Sequence, residues 1–450
     1  SSPVVGMLRS EGFQRYFRNT SWLFVDRVVR LVSVLATSFF VVRFLGPELF
    51  GELNYASAFV GMFFALTSMG MEDIITRDLV RHPERRDTLL GSAAVLKLGG
   101  SVVLFITVLA IALLKGMPAF KVLLVALIAS AEFLKPLSVI EPFFHSRTQG
   151  RIVAKVNIAQ SIINALFRIG VILVVETRQD AMIPLALSYI VEMATTSGSY
   201  LLAYRNQGLN WRAWRFDRVL AIDLLRQSWP LIVFGIALYV QAKIDQVIIG
   251  DVLRDQLGEG GADAEVGQYS AALKMIESLG FLPSIVAASL APAITRAHMQ
   301  DRALFERRVT DQYRLMFLLF LVTAIPLYFL APPFMTWFYG EEFNEAGQLL
   351  ALFAIRLFFT NMGVAKTAFI TNEGLFRYSM ITAIVGAVCN IVLNLLLIPG
   401  LHAKGAIWAM IISFLISNFL LDLFYREARP NFKWTMHAIA TFWRVRHATA

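Results

Sequence analysis

Long apolar segments alternate with short polar loops along almost the whole chain. Runs of about 20 mostly apolar residues, the length that crosses a bilayer as a helix, occur twelve times. Six lie in the first half of the chain, at residues 22–44, 49–70, 89–114, 119–144, 152–175 and 181–204. Six more follow at residues 227–250, 267–293, 314–331, 346–371, 377–398 and 404–425. This pattern predicts an all-α membrane protein with twelve transmembrane helices.

The loops between these segments are sorted by charge. Alternate loops are rich in basic residues, which is typical of the cytoplasmic side of a membrane protein; they carry Arg77, Arg81, Arg85, Arg86, Arg147, Arg151, Lys155, Arg205, Arg212, Arg215, Arg218, Arg296, Arg302, Arg307 and Arg308. The opposite loops are acidic, with Glu48, Glu176, Asp180, Asp251, Asp255, Glu259, Asp263, Glu265, Glu341, Glu342 and Glu345. We therefore expect a multi-pass protein of the cell inner (cytoplasmic) membrane with both termini in the cytoplasm.

Composition agrees with a membrane location. Of the 450 residues, 57% are hydrophobic and 16% are charged, and the mean hydropathy is +0.62, whereas soluble domains are about 45–50% apolar. The net charge of +9 comes from the basic loops, so membrane orientation explains it and no nucleic-acid partner is expected. The single cysteine, Cys389, lies in an apolar segment, so the fold must rest on helix packing without an intramolecular disulfide.

Two amphipathic segments mark the domain boundaries. Residues 211–226 and 431–447 mix Trp, Phe and Leu with Arg at helical spacing, which is typical of helices that lie on a membrane surface. The expected order is a cytoplasmic N-terminal segment (1–21), a six-helix bundle (22–204), a cytoplasmic interfacial linker helix (205–226), a second six-helix bundle (227–425) and a cytoplasmic interfacial tail (426–450).

Short matches about half a chain apart suggest an internal repeat. Phe50-Gly51 opens the second apolar segment much as Val266-Gly267 opens the eighth. The fifth and eleventh segments each carry polar residues four positions apart, on one helix face; these are Asn164 with Arg168, and Asn390 with Asn394. Because six segments separate the matches, the two bundles should be related by a pseudo-two-fold axis along the membrane normal.

Several motifs, in order along the chain, resemble those of a known family. They are Gly46-Pro47-Glu48-Leu49-Phe50-Gly51, Lys243-Ile244-Asp245-Gln246 with Gly250, Val266-Gly267-Gln268-Tyr269-Ser270-Ala271-Ala272, and Asn390-Ile391-Val392-Leu393-Asn394 through Ile398-Pro399 to Gly405-Ala406. This pattern resembles the polysaccharide transporter family, which includes the O-antigen flippases. It belongs to the superfamily that also holds the multidrug and toxin extrusion exporters and the lipid II flippases. The resemblance implies a flippase that moves a polyprenyl-pyrophosphate-linked oligosaccharide from the cytoplasmic to the outer leaflet, by alternating access of two bundles, in lipopolysaccharide or other polysaccharide biosynthesis.

Charged residues inside the apolar segments are the candidate functional residues. Each is expensive at the centre of a lipid-facing helix, by about 2.5–3.5 kcal/mol on insertion scales, so we expect them to line a water-filled cavity between the bundles. Cations outnumber anions there, and such a cavity would attract a pyrophosphate and repel an organic cation. The candidate substrate-binding residues are Arg30, Arg168, Lys243, Arg356 and Lys366, and the candidates for ion coupling or gating are Asp26, Asp245 and Glu277.

Structural explanations stand beside each of these assignments. Asp26 with Arg30, Glu132 with Lys135, and Lys274 with Glu277 are spaced to form ion pairs within one helix. Arg168, Arg356 and Lys366 have no acidic residue at helical spacing, so substrate contact is an equal alternative for them. Asp245 is either an ion-coupling carboxylate or the partner of a cation on the facing half, and the second reading is favoured. For Asn390 and Asn394, hydrogen bonding between helices is the commoner use.

No enzyme activity is expected. The chain has neither a Gly-Lys-Ser phosphate loop nor histidine spacing for a metal, so no catalytic residue, metal or bound cofactor is predicted. Transport would be driven by an ion gradient, with H+ or Na+ as the candidate coupling ions, by the membrane potential or by a substrate gradient. The expected partners are a lipid-linked oligosaccharide, the bilayer and, as a candidate, glycan polymerase machinery. The alternatives are an ion-coupled multidrug antiporter of the same fold superfamily, then a major-facilitator sugar porter, then a membrane glycan polymerase or ligase, which would be an enzyme.

Overall fold

A computed structural model describes the backbone of residues 11–444 and the side chains from residue 25 onward. The predicted N-terminal segment and the end of the predicted tail therefore lie partly outside the described residues. The first eight α-helices are α1 (Glu11–Gly61), α2 (Ala65–Ser68), α3 (Glu72–Arg81), α4 (Arg86–Leu114), α5 (Ala119–Ser130), α6 (Ile140–Ser146), α7 (Gly150–Val174) and α8 (Met182–Arg205). Eight more follow: α9 (Arg218–Leu279), α10 (Phe281–Gln300), α11 (Arg302–Tyr339), α12 (Asn344–Asn372), α13 (Phe376–Leu401), α14 (Ala403–Leu415), α15 (Leu421–Phe424) and α16 (Arg429–Ala440).

The apolar segments are helical, as predicted. Each of the twelve overlaps helical structure, although the fourth includes the 3₁₀ helix Ala131–Val139 around Pro136 and the twelfth includes the π-helix Ile416–Leu420. By length and composition, nine helical stretches within residues 11–444 could cross a membrane, and one of them, Arg218–Gln300, is 83 residues long. The all-helical class is thus confirmed, while the number of crossings and the pseudo-two-fold axis stay predictions.

Two glycines break the longest helices. Gly46 within α1 has φ 73° and ψ 174°, and Gly258 within α9 has φ 74° and ψ 174°. Residues other than glycine rarely adopt this positive φ. Each glycine lies between two predicted spans, so the kink between them depends on a residue without a side chain.

Contacts divide the chain into two compact units. Among the described residues, the first comprises residues 11–45 and 56–239, and the second comprises residues 46–55 and 240–444. The predicted bundles, 22–204 and 227–425, differ from these units because the start of the second span belongs to the second unit and the start of α9 belongs to the first.

The predicted linker helix over residues 205–226 has a different structure. It contains a 3₁₀ turn at Trp211–Ala213, a non-helical stretch over residues 214–217, and the first turns of α9. The backbone N–H of Asp217 donates to Ser92 Oγ over 3.0 Å, and Leu224 is fully buried in the core of the first unit beside Leu89 and Leu90. These contacts attach the connection to the first unit.

The C-terminal helix α16 packs on protein. The Trp434 ring lies in edge-to-face contact with Phe305 of α11 and Phe369 of α12, and Asn431 and Trp434 are buried. An amphipathic helix of this kind can bury its apolar face in lipid or in protein, and here part of the predicted interfacial tail is docked on the second unit. Residues 445–447 of that prediction lie outside the described residues.

Candidate functional site

The second unit contains a buried polar cluster around Asp245 of α9. This carboxylate is 1% exposed and accepts hydrogen bonds from the Tyr269 hydroxyl, at 2.7 Å, and from Asn394 Nδ2, at 2.6 Å. Asn394 Nδ2 also lies 3.1 Å from Asn390 Oδ1, one turn away on α13. The two asparagines therefore share a helix face as predicted, and Asn394 forms the predicted hydrogen bond between helices.

Arg356 of α12 completes this cluster. It interacts electrostatically with Asp245 and Tyr269, and its guanidinium lies about 6 Å from the ring centres of Phe353 and Phe414. Its Nε and Nη1 atoms are buried without a hydrogen-bond partner among the described residues, as are Asn390 Nδ2 and Asn394 Oδ1. Buried polar groups are nearly always hydrogen-bonded, so this cluster has donors available for a further group.

The cation beside Asp245 thus comes from the same unit. The favoured sequence interpretation placed that cation on the facing half of the chain, but Arg356 belongs to the second half, as Asp245 does. Lys243, two residues before Asp245, is half-buried and forms no ion pair or side-chain hydrogen bond with any other residue that the structure describes. Residues two positions apart lie on different faces of a helix, which explains why Lys243 and Asp245 have different surroundings.

Lys366 has a full set of partners. Its Nζ lies 2.6 Å from Asp422 Oδ1 and donates to the Asn418 carbonyl oxygen over 3.0 Å. Asp422 also accepts hydrogen bonds from the Tyr378 hydroxyl and from Asn431 Nδ2. This buried network joins α12, α13, α15 and α16, so Lys366 is better assigned to a structural role than to substrate contact.

In the first unit, Arg168 lies in a polar group between α7 and α8. Its Nε donates to Ser188 Oγ over 2.8 Å, and its Nη2 is 3.9 Å from Glu192 Oε2. Asn164 Nδ2, four residues earlier, donates to the same Glu192 oxygen over 2.9 Å. The Arg168 side chain remains 20% exposed, so part of the guanidinium can contact a ligand.

The remaining candidates differ from one another in exposure. Asp26 is buried, and its carboxylate lies 3.1 Å from Arg30 Nη2, whose side chain is 54% exposed. The predicted pair at spacing four is therefore formed. Glu277 is exposed, so its position does not resemble that of the buried carboxylates.

Residues 16–298, more than half of the chain, match the sequence model of the polysaccharide biosynthesis protein family. The chain belongs to this family. The resemblance predicted from its motifs is thereby confirmed. No curated protein sequence matches the chain.

Solved membrane transporters share the fold of this polysaccharide biosynthesis protein. An inward-facing multidrug resistance transporter of the MATE family has a TM-score of 0.65 at 16% identity, over 94% of this chain and 100% of its own. A MOP-superfamily transporter from Pyrococcus furiosus has a TM-score of 0.57 at 17% identity, over 99% of both chains. The lipid II flippase MurJ has a TM-score of 0.52 at 14% identity, over 95% of this chain and 92% of its own. These likenesses establish a multi-pass membrane protein with the MATE fold.

For other charged residues within the apolar segments, the sequence did not reveal which groups they contact. Lys97 is fully buried, with Nζ 3.2 Å from Ser138 Oγ and 3.8 Å from Glu72 Oε1. The predicted pair of Glu132 with Lys135 is not formed among the described residues, because Glu132 accepts from the Thr67 hydroxyl at 2.5 Å. Lys135 lies over the Phe64 ring. None of these partners is close in sequence, so spacing alone could not reveal them.

Proposed function

We propose that this protein is a flippase that moves a polyprenyl-pyrophosphate-linked oligosaccharide from the cytoplasmic to the outer leaflet of the cytoplasmic membrane. The observation that carries the proposal is the incomplete hydrogen bonding of the Arg168 and Arg356 guanidinium groups. Each is an arginine inside an apolar span, and each has a guanidinium that the surrounding protein satisfies only in part. A guanidinium presents parallel N–H groups that match the oxygens of a phosphate.

Family membership and fold support transport of a glycan precursor. Polysaccharide biosynthesis requires the movement of large hydrophilic groups across a membrane, and the MATE fold occurs in transporters. In this proposal the two predicted helical bundles, 22–204 and 227–425, alternate in access, both termini lie in the cytoplasm, and glycan polymerase machinery receives the product. Arg30 and Lys243 are proposed as further contacts to the anionic headgroup.

The test is delivery of lipid-linked glycan to the outer leaflet in cells that lack the native gene copy. Replacing Arg168 or Arg356 with Ala should abolish delivery, and Lys should restore it only in part because Lys lacks the planar fork. Arg205→Ala is the matched control, since Arg205 is an exposed arginine at the end of α8. Protein abundance is measured in parallel by immunoblot.

Two outcomes would count against this mechanism. Wild-type delivery by both Ala variants would exclude the two arginines as substrate contacts. If Arg356→Ala fails to accumulate because Asp245 loses its cation, Arg356→Lys keeps the charge and still tests the fork; full activity of that variant would contradict the proposed bidentate contact.

An ion-coupled multidrug antiporter is the second candidate, because multidrug transporters share the fold. The cationic character of Arg168 and Arg356 argues against it, since like charges repel. Expression of the chain should therefore leave efflux of a cationic dye such as ethidium unchanged. Energy-dependent ethidium efflux that requires Asp245 would favour the antiporter.

Coupling to H+ or Na+ is proposed to act through Asp245 rather than Asp26 or Glu277. Asp245 is buried, and its hydrogen bonds come from the neutral side chains of Tyr269 and Asn394. Asp26, by contrast, forms a direct ion pair with Arg30, and Glu277 is exposed. In reconstituted vesicles, Asp245→Asn should remove the dependence of transport on the ion gradient. Retained dependence would assign coupling elsewhere.

A further inference from the structure

A basic pocket opens on the first unit, outside the buried clusters described above. Its cavity of about 210 Å³ is lined by residues of α3, of the turn after it and of the starts of α4 and α9, among them Arg77, Asp78, Arg81, Arg85, Asp223 and Gln227. The arginines come from a loop predicted to be cytoplasmic. Basic residues on that side are common in membrane proteins because they orient the chain. Whether these arginines can also bind a ligand depends on which of them already pair with other side chains.

Both carboxylates of the pocket are already engaged by neighbours. Asp78 accepts from Arg77 Nε at 2.8 Å, and Arg77 Nη2 donates to Gln227 Oε1 over 2.7 Å. Gln227 Nε2 in turn donates to Asp223 Oδ2 over 2.8 Å. A connected chain of side chains from α3 to α9 therefore holds one wall of the pocket in place.

The side chains of Arg81 and Arg85 are not engaged in this way. Both are exposed, and neither forms an ion pair or a side-chain hydrogen bond with another residue in the described part of the chain. Three arginines against two aspartates leave the pocket with a surplus of positive charge. A concave site with free guanidinium groups suits an anion.

Apolar side chains are exposed on the two helices, α3 and α9, that contribute most of the pocket lining. Val80 on α3 and Val219 and Ile222 on α9 are 61%, 79% and 51% exposed. On α9, Val219 and Ile222 each precede by one position a residue that lines the pocket, Leu220 and Asp223, so the apolar face adjoins the pocket face. Exposed apolar side chains beside a cationic pocket fit an amphiphile with an anionic head better than a free ion.

We propose that this pocket binds a diphosphate group carried by a lipid at the cytoplasmic surface, with Arg81 and Arg85 as its ligands. The cavity has room for such a group together with water, since a water molecule occupies about 30 Å³ in the liquid. The pocket would hold the headgroup of a lipid-linked substrate before transport. That last role rests on the proposed function, whereas binding of the diphosphate does not.

The test is calorimetric titration of the full-length chain in phosphatidylcholine nanodiscs with farnesyl diphosphate and, separately, inorganic diphosphate. The double variant Arg81→Gln/Arg85→Gln should bind farnesyl diphosphate about tenfold more weakly or worse, because two charge-assisted contacts are lost. Arg205→Gln/Arg226→Gln removes the same charge from exposed arginines outside the pocket and should stay within about twofold of wild type. Asp223→Asn keeps the oxygen that Gln227 contacts and removes one negative charge, so it should bind more tightly.

Four results would overturn the proposal. The first is unchanged binding in the pocket double variant, and the second is an equal loss in the control double variant. The third is binding of inorganic diphosphate as tight as that of farnesyl diphosphate, which would indicate a soluble ligand. The fourth is weaker binding of farnesyl diphosphate in nanodiscs that contain phosphatidylglycerol, which would indicate that the pocket binds anionic lipid headgroups in general. Because the readout is binding, a failure of flippase activity leaves this test intact.

Discussion

At the scale of single residues, the charges inside the helices differ in how completely protein groups satisfy them. Lys97 and Lys366 are buried beside carboxylate and hydroxyl or carbonyl oxygens. Arg356 has two buried N–H groups without a partner in the described residues, and Arg168 is partly exposed. A fully paired charge contributes to packing, whereas an incompletely paired one can bind a ligand.

The Lys366 network should be important for stability. Lys366→Met leaves Asp422 buried without its cation, and breaking such a pair destabilises a protein by about 3–5 kcal/mol. We expect a lower midpoint of thermal unfolding, measured by size-exclusion chromatography of heated detergent extracts. Lys366→Met/Asp422→Asn should recover part of the loss because no uncompensated charge remains.

Lys243→Met is the control for this measurement. Lys243 is a half-buried lysine without an ion pair among the described residues, so the same substitution should change the midpoint little. A midpoint for Lys366→Met equal to that of Lys243→Met would contradict the structural role of the network.

Helical spacing revealed only the partners that lie on the same helix. The pairs Asp26–Arg30 and Asn390–Asn394 follow from a separation of four residues, and both contacts are formed. Asp422 lies 56 residues from Lys366 on another helix. Which helices become neighbours is decided by tertiary packing, so Lys366 could not be separated from the candidate ligands in the sequence.

At the scale of elements, glycines determine how closely α1 and α9 approach each other. A Cβ atom on Gly51 of α1 would lie 1.6 Å from the Asp263 carbonyl oxygen, and one on Gly267 of α9 would lie 1.9 Å from the Pro47 carbonyl oxygen. These four residues belong to the second unit. Backbone-to-backbone contact of this kind is how small residues join membrane helices.

Gly51→Ala and Gly267→Ala should therefore both destabilise the protein. The added methyl group meets backbone, which cannot rotate away, and overpacking costs about 1–3 kcal/mol. Gly99→Ala on α4 is the control, since a Cβ there meets nothing within 4 Å and Ala favours a helix by about 0.5–1 kcal/mol over Gly. The thermal unfolding midpoint should fall for the first two variants and rise or stay level for the third; equal midpoints for all three would contradict the close approach.

The apolar runs correctly predicted where helices form. The amphipathic segments were predicted less well, because their pattern does not reveal what they pack against. The pattern over residues 431–447 is the same for a helix on a membrane and a helix on a protein surface, and only the structure shows Trp434 against Phe305 and Phe369. The pattern over residues 211–226 predicts one helix, but residues 214–217 between the 3₁₀ turn and α9 are not helical. Contacts of this stretch with Asp87 and Ser92 hold it in that form.

At the scale of the whole molecule, charge is the property that fixes orientation. Basic loops are retained on the cytoplasmic side during insertion, and the net charge of +9 is concentrated in alternate loops of this chain. Orientation in turn decides the meaning of the basic pocket: a pocket with Arg81 and Arg85 can collect a cytoplasmic lipid-linked substrate only if the turn Pro83–Arg85 faces the cytoplasm.

Cysteine labelling tests this orientation directly. In a Cys389→Ser background, single cysteines are placed at Asp255, Asn344 and Glu84, which are all exposed, and intact spheroplasts are treated with a membrane-impermeant maleimide. The acidic loops should lie outside, so the cysteines at positions 255 and 344 should react, whereas the cysteine at position 84 should react only after the membrane is permeabilised. Labelling of position 84 in intact cells, with protection of the other two, would invert the topology and place the basic pocket on the outer surface, where a substrate made in the cytoplasm could not reach it before transport.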